Sequence, residues 1–386
     1  MRIFCLGGAG RIGREAVLDL VQFSGADRIT VGDLNETEGR AVVAGLADPR
    51  VDFVRIDVQN HAATVAALRG HDVVMDGTSI GLNGASTACI AEAGCHGINL
   101  NGFGAEEASD PVFRRHGRTC VPGFGMTPGI TQMMAMHAAA QLDTVEIVRV
   151  SHGAYRPIAF SASITETTTY EYDPALPGRV VFEDGQFLQV PPFARPRDIE
   201  LPPPYGTATQ YIIPHAETKT LARNLAAKGV RLIEVRGTWP QPNMRLIRAL
   251  YDWGLLRNDR VRLNGVEFGI MEAIAAYLMQ SREGRETPLY GYALHVEVEG
   301  SRAGRRCRHV LWHTHPPSDG SVPDWTGLRA YTRNVGIPLA IGAVLLARGQ
   351  VKPVGVITPE EAFAPEIVFA ELKQRGLFIH EQTCEP

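Results

Sequence analysis

Residues Arg2 to Leu6 read as a short apolar strand that runs directly into Gly7-Gly8-Ala9-Gly10-Arg11-Ile12-Gly13. After the glycines, apolar residues recur at Ala16, Val17, Leu20 and Val21, the three- and four-residue spacing of one helix face. This order of strand, glycine turn and helix leaves few folds open. Gly8-x-Gly10-x-x-Gly13 fits a dinucleotide-binding turn, in which one glycine makes the tight bend, one lets a pyrophosphate come close and one packs helix against strand. The amide N–H groups of the first helical turn, at Arg11 and Ile12, are then placed to hold phosphate.

Such a triplet alone is a weak signal, so the second half of the pattern decides. Residues 28–33 read as a second strand, and Asp33 stands 20 residues after Gly13, where a carboxylate accepts hydrogen bonds from the adenosine ribose hydroxyls. Its charge repels a 2′-phosphate and favours NAD, while Arg40 downstream keeps NADP open. Leu34 joins the candidate cofactor residues. The alternation continues with strands over 51–58, 72–75, 97–100 and 119–121 and helices over 62–68 and 87–92. Six strands separated by helices predict an α/β Rossmann domain with a doubly wound parallel sheet. Ligands sit beyond the carboxyl ends of such strands. That selects Asp57 and Val58 for the adenine, and Gly77, Thr78 and Ser79 for the second phosphate and ribose. Asn99 to Gly102, including Asn101 and Gly102, and Gly123 to Met126, including Gly125 and Met126, are selected for the nicotinamide.

The chain's 386 residues suffice for two or three domains. Its 38 basic and 42 acidic side chains, net −4, exclude a general affinity for nucleic acid. The longest uncharged apolar stretch, between Arg333 and Arg348, is shorter than the roughly 18 residues of a membrane span, so no transmembrane segment and a cytoplasmic location are expected. The six cysteines have no C-x-x-C spacing, which points to buried apolar side chains rather than zinc or disulfides.

Thr127-Pro128-Gly129 is expected to open a helix, with threonine as N-cap and proline at the first helical position. Beyond it, strands are predicted over 145–150 and 231–239, a hairpin over 290–298 and 305–313, and helices over 245–256 and 267–280. These suggest an inserted α+β substrate and dimerisation domain built on a mainly antiparallel sheet. Residues 191–214 are proline-rich and read as a long irregular lid or dimer contact. The tail is helical from Leu328 and apolar over 337–346, and a last strand is expected over 377–380. An apolar helix needs a partner. The expected division is therefore a discontinuous Rossmann domain, 1–126 with 326–386, around an insert of 127–325.

Four segments in this order carry a family resemblance: the N-terminal glycines, Val121-Pro122-Gly123-Phe124-Gly125-Met126-Thr127-Pro128-Gly129, Tyr172-Asp173-Pro174-Ala175, and Gly355-Val356-Ile357-Thr358-Pro359-Glu360-Glu361. The chain resembles the saccharopine dehydrogenase-like family, and within it the lysine 6-dehydrogenases. The resemblance implies a Rossmann domain closed by the tail, a sheet-rich domain that often forms homodimers, and NAD(P)-dependent oxidation of a small amine or amino acid or reduction of an imine. It also has departures: Phe103 replaces a histidine, and Ser163 to Glu166 with Thr167-Thr168-Thr169 replaces a serine-to-glycine pattern. For that chemistry His215 is a candidate proton carrier, Arg236 a carboxylate clamp, and Glu217 or Tyr170 an ammonium site. His313 and His315 share a strand face with no acidic or cysteine partner at ligand spacing, so a hairpin end is expected there and no metal.

Overall fold

The computed structural model describes all residues except 159–160, 162–163, 165–166, 168–170, 177, 258, 281–288 and 385–386. The chain divides into two units, Met1–His137 with Thr332–Phe378, and Ala138–Tyr331 with Ile379–Pro386.

In the first unit, β1 (Arg2–Leu6), β2 (Arg28–Asp33), β3 (Val51–Arg55), β4 (Val73–Asp76), β5 (His96–Asn99) and β6 (Thr119–Val121) form a parallel sheet. Its order is β6-β5-β4-β1-β2-β3, so the winding reverses between β1 and β4. A seventh strand, Gly355–Val356, pairs with β6 and was not anticipated, because two residues carry no periodicity. Helices α1 (Arg11–Phe23), α2 (Glu36–Leu46), α3 (His61–Leu68), α4 (Asn83–Ala93) and α5 (Asp110–His116) connect the strands. The core on one side gathers Phe4, Leu6, Val65, Leu68, Val74, Ile90 and Phe113.

The sequence places a helix start at Thr127, but the observed helix α6 is Ile130–Ala140. The Thr127–Pro128 peptide is cis, and backbone bonds close the turn before the helix. Gly125 N donates to Pro128 O, Ile130 N donates to Gly125 O, and the Gln132 side chain accepts from Gly129 N at 2.7 Å. Gly129 has φ 124°, and a side chain there would lie 2.3 Å from Gly125 O. This close backbone approach is what its glycine serves.

The helix Leu328–Ala347 is long and apolar enough to cross a membrane, unlike the shorter uncharged run within it, because it extends back past Arg333. Yet 89% of its apolar window is buried, as in a core helix. Gly336 lets it approach α1: a Cβ there would lie 2.9 Å from Ala16 N and 3.0 Å from Ile12 O. Arg333 pairs with Glu15 of α1 at 3.4 Å. A second buried pair holds the helix Pro365–Gln374 and its C-cap Arg375 to the same element, since Arg375 Nε reaches both Asp19 oxygens at 2.8 and 3.0 Å.

The second unit is built on a nine-stranded mixed sheet. Its strands β7 (Thr144–Tyr155), β8 (Val180–Glu183), β9 (Gln186–Gln189), β10 (Arg197–Leu201), β11 (Gly206–Ile212) and β12 (Leu232–Thr238) precede a separate hairpin, β13 (Arg260–Leu263) and β14 (Val266–Gly269). Then follow β15 (Gly291–Arg302) and β16 (Arg305–Thr314). The main order is β10-β11-β12-β7-β15-β16 followed by Phe378–Cys384, so the last strand lies in this sheet. β7 and β12 run parallel inside a largely antiparallel arrangement. The proline-rich segment is not a long irregular loop, because β10 and β11 form a hairpin within it, with Pro202, Pro203 and Pro204 in the turn. The helix read over 267–280 is also shorter, since Val266–Gly269 pairs as β14 and the helix is Ile270–Gln280.

Asp19 and Arg375 are both fully buried, so removing one partner strands the other's charge. Arg375→Met is expected to lower stability by about 3–5 kcal/mol in chemical denaturation, and the double variant with Asp19→Leu to recover most of that loss.

Candidate functional site

In the first unit the glycines of the opening turn serve distinct purposes. Gly7 has φ 66°, and a side chain there would lie 2.8 Å from the Gly77 carbonyl, so the loops after β1 and β4 meet backbone to backbone. Gly8 N donates to Cys5 O and Gly32 O, and a side chain at Gly13 would fall 2.2 Å from Gly7 O. Gly10 is exposed, and only Gly7 O, at 3.1 Å, lies near the position of its missing side chain. Open space therefore adjoins the turn where a pyrophosphate approaches the helix N-terminus, formed by the exposed Arg11 and half-buried Ile12.

Asp33 is fastened to this rim, its Oδ2 accepting from Ala9 N at 3.1 Å and its Oδ1 from Asn35 N at 2.9 Å. Leu34 beside it is 56% exposed, an apolar surface next to this carboxylate. Of the cations nearby, Arg14 pairs with Glu38, and Arg40 with Glu36.

The remaining cofactor candidates lie in the loops at the carboxyl edge. Thr78 donates through N and Oγ1 to Asp76 Oδ1, and half-buried Ser79 precedes a short helical turn. Asp57 is exposed after β3, but the Val58 side chain packs in the core, which leaves only its backbone for a ligand. Asn101 N donates to Asn99 Oδ1, and Gly102 has φ 72°. Gly125 and Met126 are buried, so the Met126 side chain belongs to the core.

The second unit holds a buried polar cluster. His152 takes an inward position on β7 between Val150 and Ala154, and room for its ring comes from Gly237 on β12, where a Cβ would lie 2.8 Å from His152 Cε1. His215 follows β11, and Glu217 starts the helix Glu217–Asn224; the His215 Nδ1–Glu217 Oε2 distance is 3.2 Å, with the side chains 7% and 0% exposed. The His152 ring lies 5.6 Å from His215 and 5.7 Å from Tyr292, which stacks on Tyr331. Arg156 lies over Tyr331 and Trp239. Glu171 is buried, and its Oε2 has no hydrogen-bond partner among the described residues.

Burial pushes the Glu171 carboxyl up to about 7, against the pull of the His215, Arg156 and Arg179 charges. Burial likewise drives His152 down to about 3, helped by the His215 charge, so this imidazole is neutral. For His215, burial acts downward, but Glu217 and then Glu171 outweigh it and raise its proton affinity. A neutral histidine, a histidine of raised proton affinity and a carboxyl titrating near neutrality thus share one desolvated cluster, the setting in which general acid–base groups are tuned.

Of the residues proposed for chemistry, the structure brings His215 and Glu217 together and does not bring Arg236 to them. Arg236 is committed bidentately to Glu234 at 2.9 and 3.0 Å and to Arg195 O. Strand alternation places it on the sheet face opposite Gly237 and His152, in a layer of ion pairs with Arg149, Arg195 and Glu297. Tyr170, with Ser163, Glu166, Thr168 and Thr169, lies outside the described residues. His309 contacts Glu381, His313 accepts from Leu294 N, and His315 bonds Tyr205 and Pro316 O, with the His313 and His315 rings 5.7 Å apart. Gly7, His152, Glu171 and Arg156 were missed. Only the first two left a local signal, a glycine doublet and a polar residue at an apolar strand position.

The Glu171 shift fixes a pH dependence. Its folded value of about 7 lies above the ordinary 4.5, so the native state keeps a proton that the unfolded chain releases. That stabilisation is complete below the unfolded value and lost as pH rises through the folded one. Wild-type stability relative to Glu171→Gln is expected to fall by on the order of 2 kcal/mol between about pH 5 and pH 8, measured by denaturant titration.

Residues 3–120 match the saccharopine dehydrogenase NADP binding domain, and residues 125–377 match the saccharopine dehydrogenase C-terminal domain. Carboxyaminopropylagmatine dehydrogenase from Synechocystis sp. is 23% identical over 288 residues, covering 71% of this chain and 68% of that protein. Saccharopine dehydrogenase (L-Glu forming) from Saccharomyces cerevisiae has a similar fold, with a TM-score of 0.73 at 15% identity over 99% of each chain. With its glycine cradle, its mixed-sheet second unit and both domain matches, this chain belongs to the saccharopine dehydrogenase family, oxidoreductases with a nicotinamide-dinucleotide-binding domain.

Proposed function

We propose that the protein transfers hydride at a C–N bond, oxidising an amino acid or related small amine or reducing the corresponding imine, with NAD as its preferred dinucleotide. The observation that carries the chemistry is the buried His215–Glu217 pair beside Glu171, a proton-exchanging set in an oxidoreductase fold. The Synechocystis relative is by its name a dehydrogenase of an amino compound, which supports the amine class. The dinucleotide, when bound, supplies the hydride acceptor or donor.

The chain's own residues handle the proton and the position of the substrate. An ammonium must lose a proton before its carbon can give up hydride; Glu171 has a proton affinity suited to exchange near neutral pH, and His215, held at Nδ1 by Glu217, has a raised one. Glu171 also offers a negative charge to an ammonium, and Arg156 a positive one to a carboxylate. Burial keeps water away, which strengthens each of these attractions. NAD preference rests on Asp33 at the rim of the cradle, with Arg14 and Arg40 paired to acids. The six free cysteines support a reducing, cytoplasmic setting.

A homodimer is part of the same proposal. Trp253, Leu263, Val266 and Tyr277 are 82%, 61%, 64% and 66% exposed within one stretch of the second unit, an apolar surface suited to a second copy.

Calorimetric titration is expected to show NADH binding at least about tenfold tighter than NADPH, with Asp33→Ala narrowing the gap. In an absorbance screen of amino acids and diamines, one is expected to reduce NAD. His215→Gln is then expected to lower kcat by about 10²–10⁴ while NADH affinity holds. Binding of NADH without turnover of any amine or imine would instead mark a sensor. Light scattering is expected to give a dimer mass, and Trp253→Ser with Tyr277→Ser to shift it toward the monomer.

A further inference from the structure

We infer that Glu106 is a positioning residue for the nicotinamide half of the cofactor site, acting through Asn99. The inference rests on the dinucleotide reading and adds what orders one end of that site. Glu106 lies in the loop after β5 and is 1% exposed. Its Oε1 accepts from Asn99 Nδ2 at 2.9 Å and from Asn83 Nδ2 at 3.3 Å. Asn99 ends β5, and Asn83 begins α4 after β4. With the Asn99 amide nitrogen committed to the carboxylate, its Oδ1 is turned to accept from Asn101 N at 3.0 Å and Gly123 N at 3.2 Å. The Asn99 carbonyl also accepts from Phe124 N at 2.8 Å.

One carboxylate oxygen therefore ties together the segments that leave β4, β5 and β6. These strands lie on the β4 side of the winding reversal, and Asp33 marks the β2 side as the adenosine half. The tied loops accordingly belong to the nicotinamide half. The orientation is forced, because Gly123 N and Asn101 N are both donors and Asn99 must show them oxygen. A hydrocarbon in place of Glu106 leaves two buried amide donors unpaired and removes what fixes the Asn99 amide. Asp76, beside Asn99 in the sheet, holds the adjoining loop in parallel through Thr78 and Ser86.

The test compares NADH with ADP-ribose, which lacks the nicotinamide, by calorimetric titration of the full-length protein. Glu106→Met is expected to weaken NADH about tenfold or more while ADP-ribose stays within about twofold. Glu106→Gln, whose amide oxygen still accepts, is expected to restore NADH to within about threefold of wild type. Asn99→Ala repeats the selective loss and carries the comparison if Glu106→Met does not fold. Unchanged NADH binding in both Glu106→Met and Asn99→Ala, or equal losses for the two ligands, would overturn the inference. Wild-type protein that binds neither ligand would overturn the dinucleotide reading itself, and this inference with it.

Discussion

The contact on which the first unit depends is a meeting of bare backbones. Gly7 and Gly77 bring the loops after β1 and β4 together at the place where the sheet reverses its winding, and Gly13 lets α1 start directly behind them. Any side chain at Gly7 or Gly13 would have to occupy carbonyl positions, so the crevice exists because glycine stands there. Asp33 is then fastened to the same turn through Ala9 N. The long apolar helix lies on α1 at Gly336. Turn, carboxylate and covering helix are parts of one packing solution.

The second unit turns on a different constraint, the two-residue alternation of its strands. One face of the central strands carries the ion-pair layer of Arg149, Glu234, Arg236 and Glu297. The other carries His152, with room made by Gly237. Adjacent residues on one strand thus serve opposite electrostatic purposes. Arg236 satisfies a buried carboxylate, whereas His152 is kept neutral beside a histidine whose proton affinity is raised. Replacing Glu217 would remove the largest upward influence on His215 and leave burial to lower its proton affinity.

What could be read from the chain follows from how local each demand is. The glycine turn and the acid ending β2 are local, and both stand where the spacing placed them. The strands β1 to β6 and the long β7, β12, β15 and β16 were legible, but the hairpins β8–β9, β10–β11 and β13–β14 were not, nor was Gly355–Val356, whose pairing is decided by an edge far away in sequence. Arg236 was assigned by its chemistry when its strand position, in phase with Glu234, already set its face. Glu171 adjoins Tyr172-Asp173-Pro174-Ala175 but is not marked out by it, and Glu106 has no pattern around it. Their importance comes from burial and from partners distant in the fold, which no window of sequence contains.

The first unit's sheet includes residues 355–356, and its α1 is covered by a helix that begins at Leu328. During synthesis residues 1–137 therefore leave the ribosome with one sheet edge unpaired and the flank of α1 that carries Glu15 and Asp19 bare. They stay so until most of the intervening segment has been made. At roughly 5–20 residues per second, that interval lasts on the order of ten seconds or more. A half-built nucleotide domain with an open edge is an aggregation hazard for that time, and the order of elements along the chain defers its completion until the second unit's main strands have been made.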